Sequence, residues 1–63
     1  MNGTERRQWL LERLMTADRP LSGSALAKEL GVSRQIIVQD MALLRARSDV
    51  EIISTYQGYV IHR

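Results

Sequence analysis

The chain has no cysteine, a single histidine and a single proline. Without cysteine there is no disulfide and no thiolate zinc site to staple so short a chain. His62 stands beside Arg63 with no carboxylate pair near it, which does not make a metal site. No apolar run approaches the roughly 20 residues that span a bilayer, and the N-terminus carries no apolar signal segment. A cytoplasmic location with no membrane partner is therefore expected. Glycine-rich phosphate loops are missing, as is any nucleophile paired with a base, so the chain reads as non-enzymatic.

What remains is 63 residues, enough for one small domain over 1–63, with residues 1–4 expected to fray. The aliphatic content suffices for a helical core and argues against disorder. A core this small is marginal, so dimerisation or a covalently attached second domain would help it. The formal net charge is only +2, but eight of the nine basic residues are Arg. Arginine forks onto phosphate or guanine better than lysine does. Basic balance alone is equally compatible with a solvated surface of scattered charge.

The hydrophobic period divides the chain into three helices and a hairpin. Leu10, Leu11 and Leu14 fall at helical spacing in a first helix from about Thr4 to Ala17, with Thr4 as its cap and Glu5 in its first turn. Arg6, Arg7, Glu12 and Arg13 lie off that stripe. Trp9 stands at its border, as partly buried packing or part of a dimer surface. Asp18-Arg19-Pro20 ends the helix, because the residue before proline is driven out of the helical region. Leu21 then occupies a short extended piece that points inward. A second helix starts at Ser22 or shortly after, with Ser22 and Ser24 as alternative caps and Leu26, Ala27 and Leu30 on its inner face. Gly31 supplies the left-handed residue that stops it, and Val32 is buried in the turn. Ser33 caps a third helix that runs to about Arg47, carrying Arg34, Arg45 and Arg47, and Ser48-Asp49 is a turn. The tail changes to β-branched and aromatic residues: Glu51 to Tyr56 and Tyr59 to Ile61 form strands around Gln57-Gly58. The fold class is mainly α with a small β-hairpin, a winged helix-turn-helix.

The third helix sorts by face at about 100° per residue. Ile37, Met41 and Leu44 share the sector that packs on the first helix. Gln35, Gln39, Ala42 and Ala46 point the opposite way, flanked by Val38 and Arg45 on one side and Ile36 and Leu43 on the other. In a helix-turn-helix this outer face enters the major groove of double-stranded DNA. Glutamine suits the adenine edge, and Val38 a thymine methyl. Ser33 and Arg34 at the helix start suit phosphate, and Ser22 and Ser24 at the preceding helix start join them. Tyr56 and Gln57 at the wing could touch a neighbouring phosphate or the minor groove, while Tyr59 and Val60 close the core. Ser33 also has a purely structural use as a cap, and exposed Gln and Arg are ordinary on helices. Asp40 is unsuited to phosphate and is expected to turn sideways into an ion pair with Arg or Lys28. The competing reading is a protein-docking module with Val38 as anchor, against which Arg34 and the two glutamines argue.

The run Ser33-Arg34-Gln35-Ile36-Ile37-Val38-Gln39-Asp40-Met41-Ala42-Leu43-Leu44-Arg45-Ala46, with Ile52-Ile53-Ser54-Thr55 and Gly58-Tyr59-Val60, resembles the N-terminal domain of niacin-responsive transcriptional repressors. The resemblance covers about Arg6 to Ile61. A looser similarity in Ser-Arg, Leu-Arg and the terminal Gly-Tyr extends to biotin operon repressors. The closer likeness implies a homodimeric repressor of niacin uptake or NAD synthesis genes. It also implies a histidine-rich second domain that binds a divalent metal and nicotinic acid. That domain would begin past Arg63, so no cofactor is expected on the residues of this chain, whether it is a cut-out domain or a short stand-alone regulator. The likeness lapses at the wing, where relatives tend to carry Pro-Arg and this chain has Tyr56-Gln57.

Overall fold

A computed structural model describes residues 1–47 and 49–62. The order is α1 (Gly3–Thr16), α2 (Gly23–Leu30), α3 (Arg34–Arg45), β1 (Glu51–Thr55) and β2 (Gly58–His62). The expected turn at Ser48 lies outside the described residues, as does Arg63.

Helix α1 begins earlier than the sequence suggests, and its cap is Asn2, not Thr4. Asn2 Oδ1 accepts the Glu5 backbone N–H at 2.8 Å, and the Asn2 N–H donates to Glu5 Oε1 at 2.9 Å. This capping box needs Glu5 at the third helical position, which a Thr4 cap would not provide. Residues 2–4 are thus tied into the helix start and are not a frayed end. At the other end Ala17 is extended, and its N–H still reaches Arg13 O.

Helix α2 is capped by Ser22, whose Oγ accepts from Ala25 N–H at 3.0 Å, and Ser24 lies inside the helix. Gly31 stops it at φ 68°, ψ 34°, the left-handed geometry that glycine adopts without steric cost. Val32 N–H then reaches back to Ala27 O at 3.0 Å, and its side chain is partly buried against the core. Ser33 Oγ accepts from Ile36 N–H at 3.2 Å and starts α3. That helix ends at Arg45, with Ala46 as its cap. Arg47, expected within it, lies beyond and pairs with Asp49.

Leu10, Leu11 and Leu14 of α1, Leu26 and Ala27 of α2 and Ile37, Met41 and Leu44 of α3 bury together with Ile52 and Tyr59 of the strands. Removal of this apolar surface from water is the dominant favourable term in a domain this small. Arg13 stitches α1 to α2: its guanidinium lies 5.6 Å from the Trp9 ring centroid and 3.4 Å from Glu29. The Arg13 and Glu29 side chains both face solvent, where such ion pairs contribute little, and Trp9 is half-buried against the core.

The strands pair antiparallel in the register Glu51↔His62, Ile53↔Val60 and Thr55↔Gly58. The turn therefore centres on Tyr56-Gln57, one residue earlier than the sequence suggests. Among the described residues none other than glycine has positive φ, so the tight mirror-image turns that favour glycine are not used at Tyr56-Gln57. Thr55 Oγ1 closes the turn instead. It donates to Gly58 O at 2.7 Å and accepts from the N–H groups of Gln57 and Gly58 at 3.2 Å. Leu21 adds one bridge to the sheet, with Leu21 N–H to Tyr59 O at 3.0 Å and Tyr59 N–H to Leu21 O at 2.8 Å. This bridge fastens the wing to the segment that enters α2.

Candidate nucleic-acid interface

Helix α3 presents the surface that its periodicity predicts. Gln35, Gln39, Ala42 and Ala46 are exposed, and Ile37, Met41 and Leu44 are buried on the reverse. Val38 is half-buried where the sequence suggested exposure. It lies about 60° around the helix from Met41, close enough to the packed sector to be partly covered.

Asp40 departs further from expectation. It pairs with arginine, one of the two expected kinds of partner, but from the interior: the residue is buried at 1% exposure. It lies about 40° from Leu44 around the helix and so faces α1. There Arg6 Nε and Nη2 donate to the two carboxylate oxygens, the second bond at 3.0 Å, and Arg7 Nη1 donates to Oδ1 at 3.2 Å. Such a forked pair fixes orientation as well as charge. Burial pushes the Asp40 carboxyl up, but the hydrogen bonds and charges of Arg6 and Arg7 together outweigh it and hold it below 3.8. The same bond holds the Arg6 guanidinium above its ordinary value. The expected structural ion pair exists, with partners that the sequence placed merely off the apolar stripe.

The arginines sort sharply by partner. Arg6 and Arg7 serve Asp40, Arg13 serves Glu29, Arg19 serves Asp18 and Arg47 serves Asp49. Arg45, expected to flank the outward face, donates Nε to Ile52 O at 2.9 Å and so also holds β1 against α3. Among the described residues, Arg34 is the one arginine with no acceptor in the chain.

Arg34 lines a polar groove of about 230 Å³ between the start of α2 and the wing. The groove also gathers Ser22, Ser24, Tyr56 and Gln57, residues far apart in the chain. Tyr56 is 98% exposed at the wing tip. Ser33, Gln35, Val38 and Gln39 stay outside this groove, along α3. The cap hydroxyls of Ser22 and Ser33 already accept a backbone bond, but each keeps its proton to donate outward. Sequence reasoning missed Gly23, Ser54 and Thr55, which line the groove together with Gly58 and Tyr59. Thr55 carried a signal, a hydroxyl residue shortly before a glycine, which is turn chemistry. Gly23 had only its poor helix propensity at a helix start.

A family profile described as an HTH domain matches residues 6–60. The transcription repressor NadR of Bacillus subtilis is 53% identical over 58 residues, covering 92% of this chain and 32% of that protein. The probable transcription repressor NiaR of Thermotoga maritima is 46% identical over 57 residues, covering 90% of this chain and again 32% of the relative. The chain thus spans about a third of the length of these curated relatives. With three helices, the Gly31 turn and a two-stranded wing in place, the chain belongs to the helix-turn-helix domain family.

Proposed function

We propose that this domain binds double-stranded DNA for a transcription repressor, with α3 in the major groove. The observation that carries this reading is the make-up of the α3 surface. Two glutamines and two alanines stand outward, beside the single described arginine that has no partner in the protein. Glutamine pairs with the two-atom edge of adenine, alanine lets the groove floor approach, and a free guanidinium seeks phosphate. Both named relatives are described as transcription repressors, the second as a probable one. The resemblance of the Ser33–Ala46 run extends the proposal to niacin uptake or NAD synthesis genes, read by a homodimer.

Selection of bound sites from a random duplex pool tests the reading. The expected result is one enriched sequence, palindromic if two copies bind together, since operator symmetry mirrors protein symmetry. On that site Gln39→Ala relaxes base preference at one position by about 1–3 kcal/mol, the worth of a two-bond base contact. Affinity falls steeply with salt as phosphate contacts release counterions. Equal binding to the enriched and random duplexes at every salt concentration overturns sequence-specific recognition. A protein partner with no duplex binding would favour a docking module.

A further inference from the structure

Gly23 occupies the first position of α2, and an added Cβ there would meet Arg34 Cγ and Nε at 3.8 Å and Tyr59 Cε2 at 3.4 Å. The stem of Arg34 therefore lies across a place on α2 where no side chain stands. Glycine at a helix start contributes nothing to helix propensity, and at this site its φ is not positive. Its backbone freedom therefore explains nothing here; a Cβ would stand at ordinary contact distance, and a longer side chain would compete with Arg34 for this space. Laid over Gly23, Arg34 borders the polar groove under the wing, among Ser22, Ser24, Thr55 and Gln57. Among the described residues no carboxylate lines that groove. An arginine without a protein acceptor, facing hydroxyl and amide donors, suits an oxyanion.

We propose that Gly23 is a positioning residue for DNA binding. It lets Arg34 lie back toward the wing, where it takes a backbone phosphate clasped between α2 and the wing, and keeps it from reaching a base edge. The inference rests on the DNA-binding reading and sharpens it. Arg34 then contributes affinity without sequence preference, and base choice falls to Gln35, Val38 and Gln39. The wing, which has no described cation at its tip, joins the same contact through the Gln57 amide, since the Thr55 hydroxyl proton is already given to Gly58 O.

Fluorescence titrations of a random-sequence duplex and of the pool-selected duplex, each at several salt concentrations, test this. Arg34→Gln weakens both duplexes alike, by roughly tenfold, and lowers the salt slope by about one. Gly23→Leu fills the space under the arginine and gives the same pattern, while Gly23→Ala, with a Cβ at ordinary contact distance, binds more tightly than Gly23→Leu. In the Arg34→Gln background, Gly23→Leu has no further effect on either duplex, a non-additivity that a general loss of structure would not produce. Thermal melting confirms that each variant is folded, and where Gly23→Leu is not, the smaller Gly23→Val takes its place in the same comparison. Loss confined to the selected duplex makes Arg34 a base reader and overturns the proposal. Full additivity of folded Gly23→Leu with Arg34→Gln overturns the positioning role. Wild-type protein that binds neither duplex overturns the DNA-binding reading itself.

Discussion

Gly58→Ala should leave most of the domain unable to hold its wing. An added Cβ at this glycine falls 2.5 Å from the carbonyl carbon and oxygen of Leu21 and 2.7 Å from Ser22 N. These are backbone atoms, so no side-chain rotation relieves the overlap. Gly58 also has φ 138°, a conformation that costs a side-chain-bearing residue on its own. Overpacking and backbone strain together amount to about 2–6 kcal/mol. Domains hold only about 0.05–0.15 kcal/mol per residue, so a chain of this length has little more to lose. The Leu21–Tyr59 bridge is the expected point of failure, because it is the contact that brings the two backbones together. Urea unfolding should show a much lower midpoint. Hydrogen exchange should show early loss of protection at the Leu21 and Tyr59 amides. An unchanged midpoint would mean that the wing does not approach Leu21 this closely.

Removing the Asp40 carboxylate is the second large effect. Asp40→Ala leaves two guanidinium groups facing a place that held their acceptor. Truncating one partner of a buried pair costs about 3–5 kcal/mol. The side chains of Arg6 and Arg7 are 18% and 28% exposed and can turn toward water, so the low end, about 3 kcal/mol, is expected. A domain of this size loses roughly 4–8 °C of melting temperature for each kcal/mol. The pH dependence has a definite sign. The folded protein holds the carboxyl below 3.8, so folding favours its ionised form. The resulting stability is complete above the ordinary carboxylate range and is lost as pH falls through the folded value. Wild-type melting temperature should decline below about pH 4, and Asp40→Asn should decline less over the same range. Asp49 also titrates low, through Arg47, but it is exposed and present in both proteins. Identical acid limbs would show that the pair contributes nothing to stability.

These two sites mark where local pattern stops being informative. The glycine near residue 58 was legible as a hairpin signal, but for the wrong reason. The turn falls on Tyr56-Gln57 and is held by the Thr55 hydroxyl, while the glycine answers to a backbone some 37 residues earlier. Asp40 was legible as an ill-fitting carboxylate on a DNA-facing helix. Its burial and its two partners required the packing of α1 on α3, because Arg6 and Arg7 carry no periodic signal of their own. Arg45 looked like one more cation on the outer helix, and only the strand beside it shows that one of its donors is occupied.

The local code of this chain is strong where a motif is complete within a few residues. Ser33 as a cap, Gly31 as a left-handed stop, and Ile37, Met41 and Leu44 as one buried stripe all follow from spacing and side-chain chemistry, whereas the choice of Ser22 over Ser24 as the other cap came from the structure. Those features determined the helix-turn-helix and the outward set Gln35, Gln39, Ala42 and Ala46. Tertiary structure decided which charges are free. Ion pairing depends on what lies opposite in space, and the sequence lists arginines without their neighbours. Once the helices pack, all the other described arginines find an acceptor in the protein, and Arg34 is left over Gly23 with none.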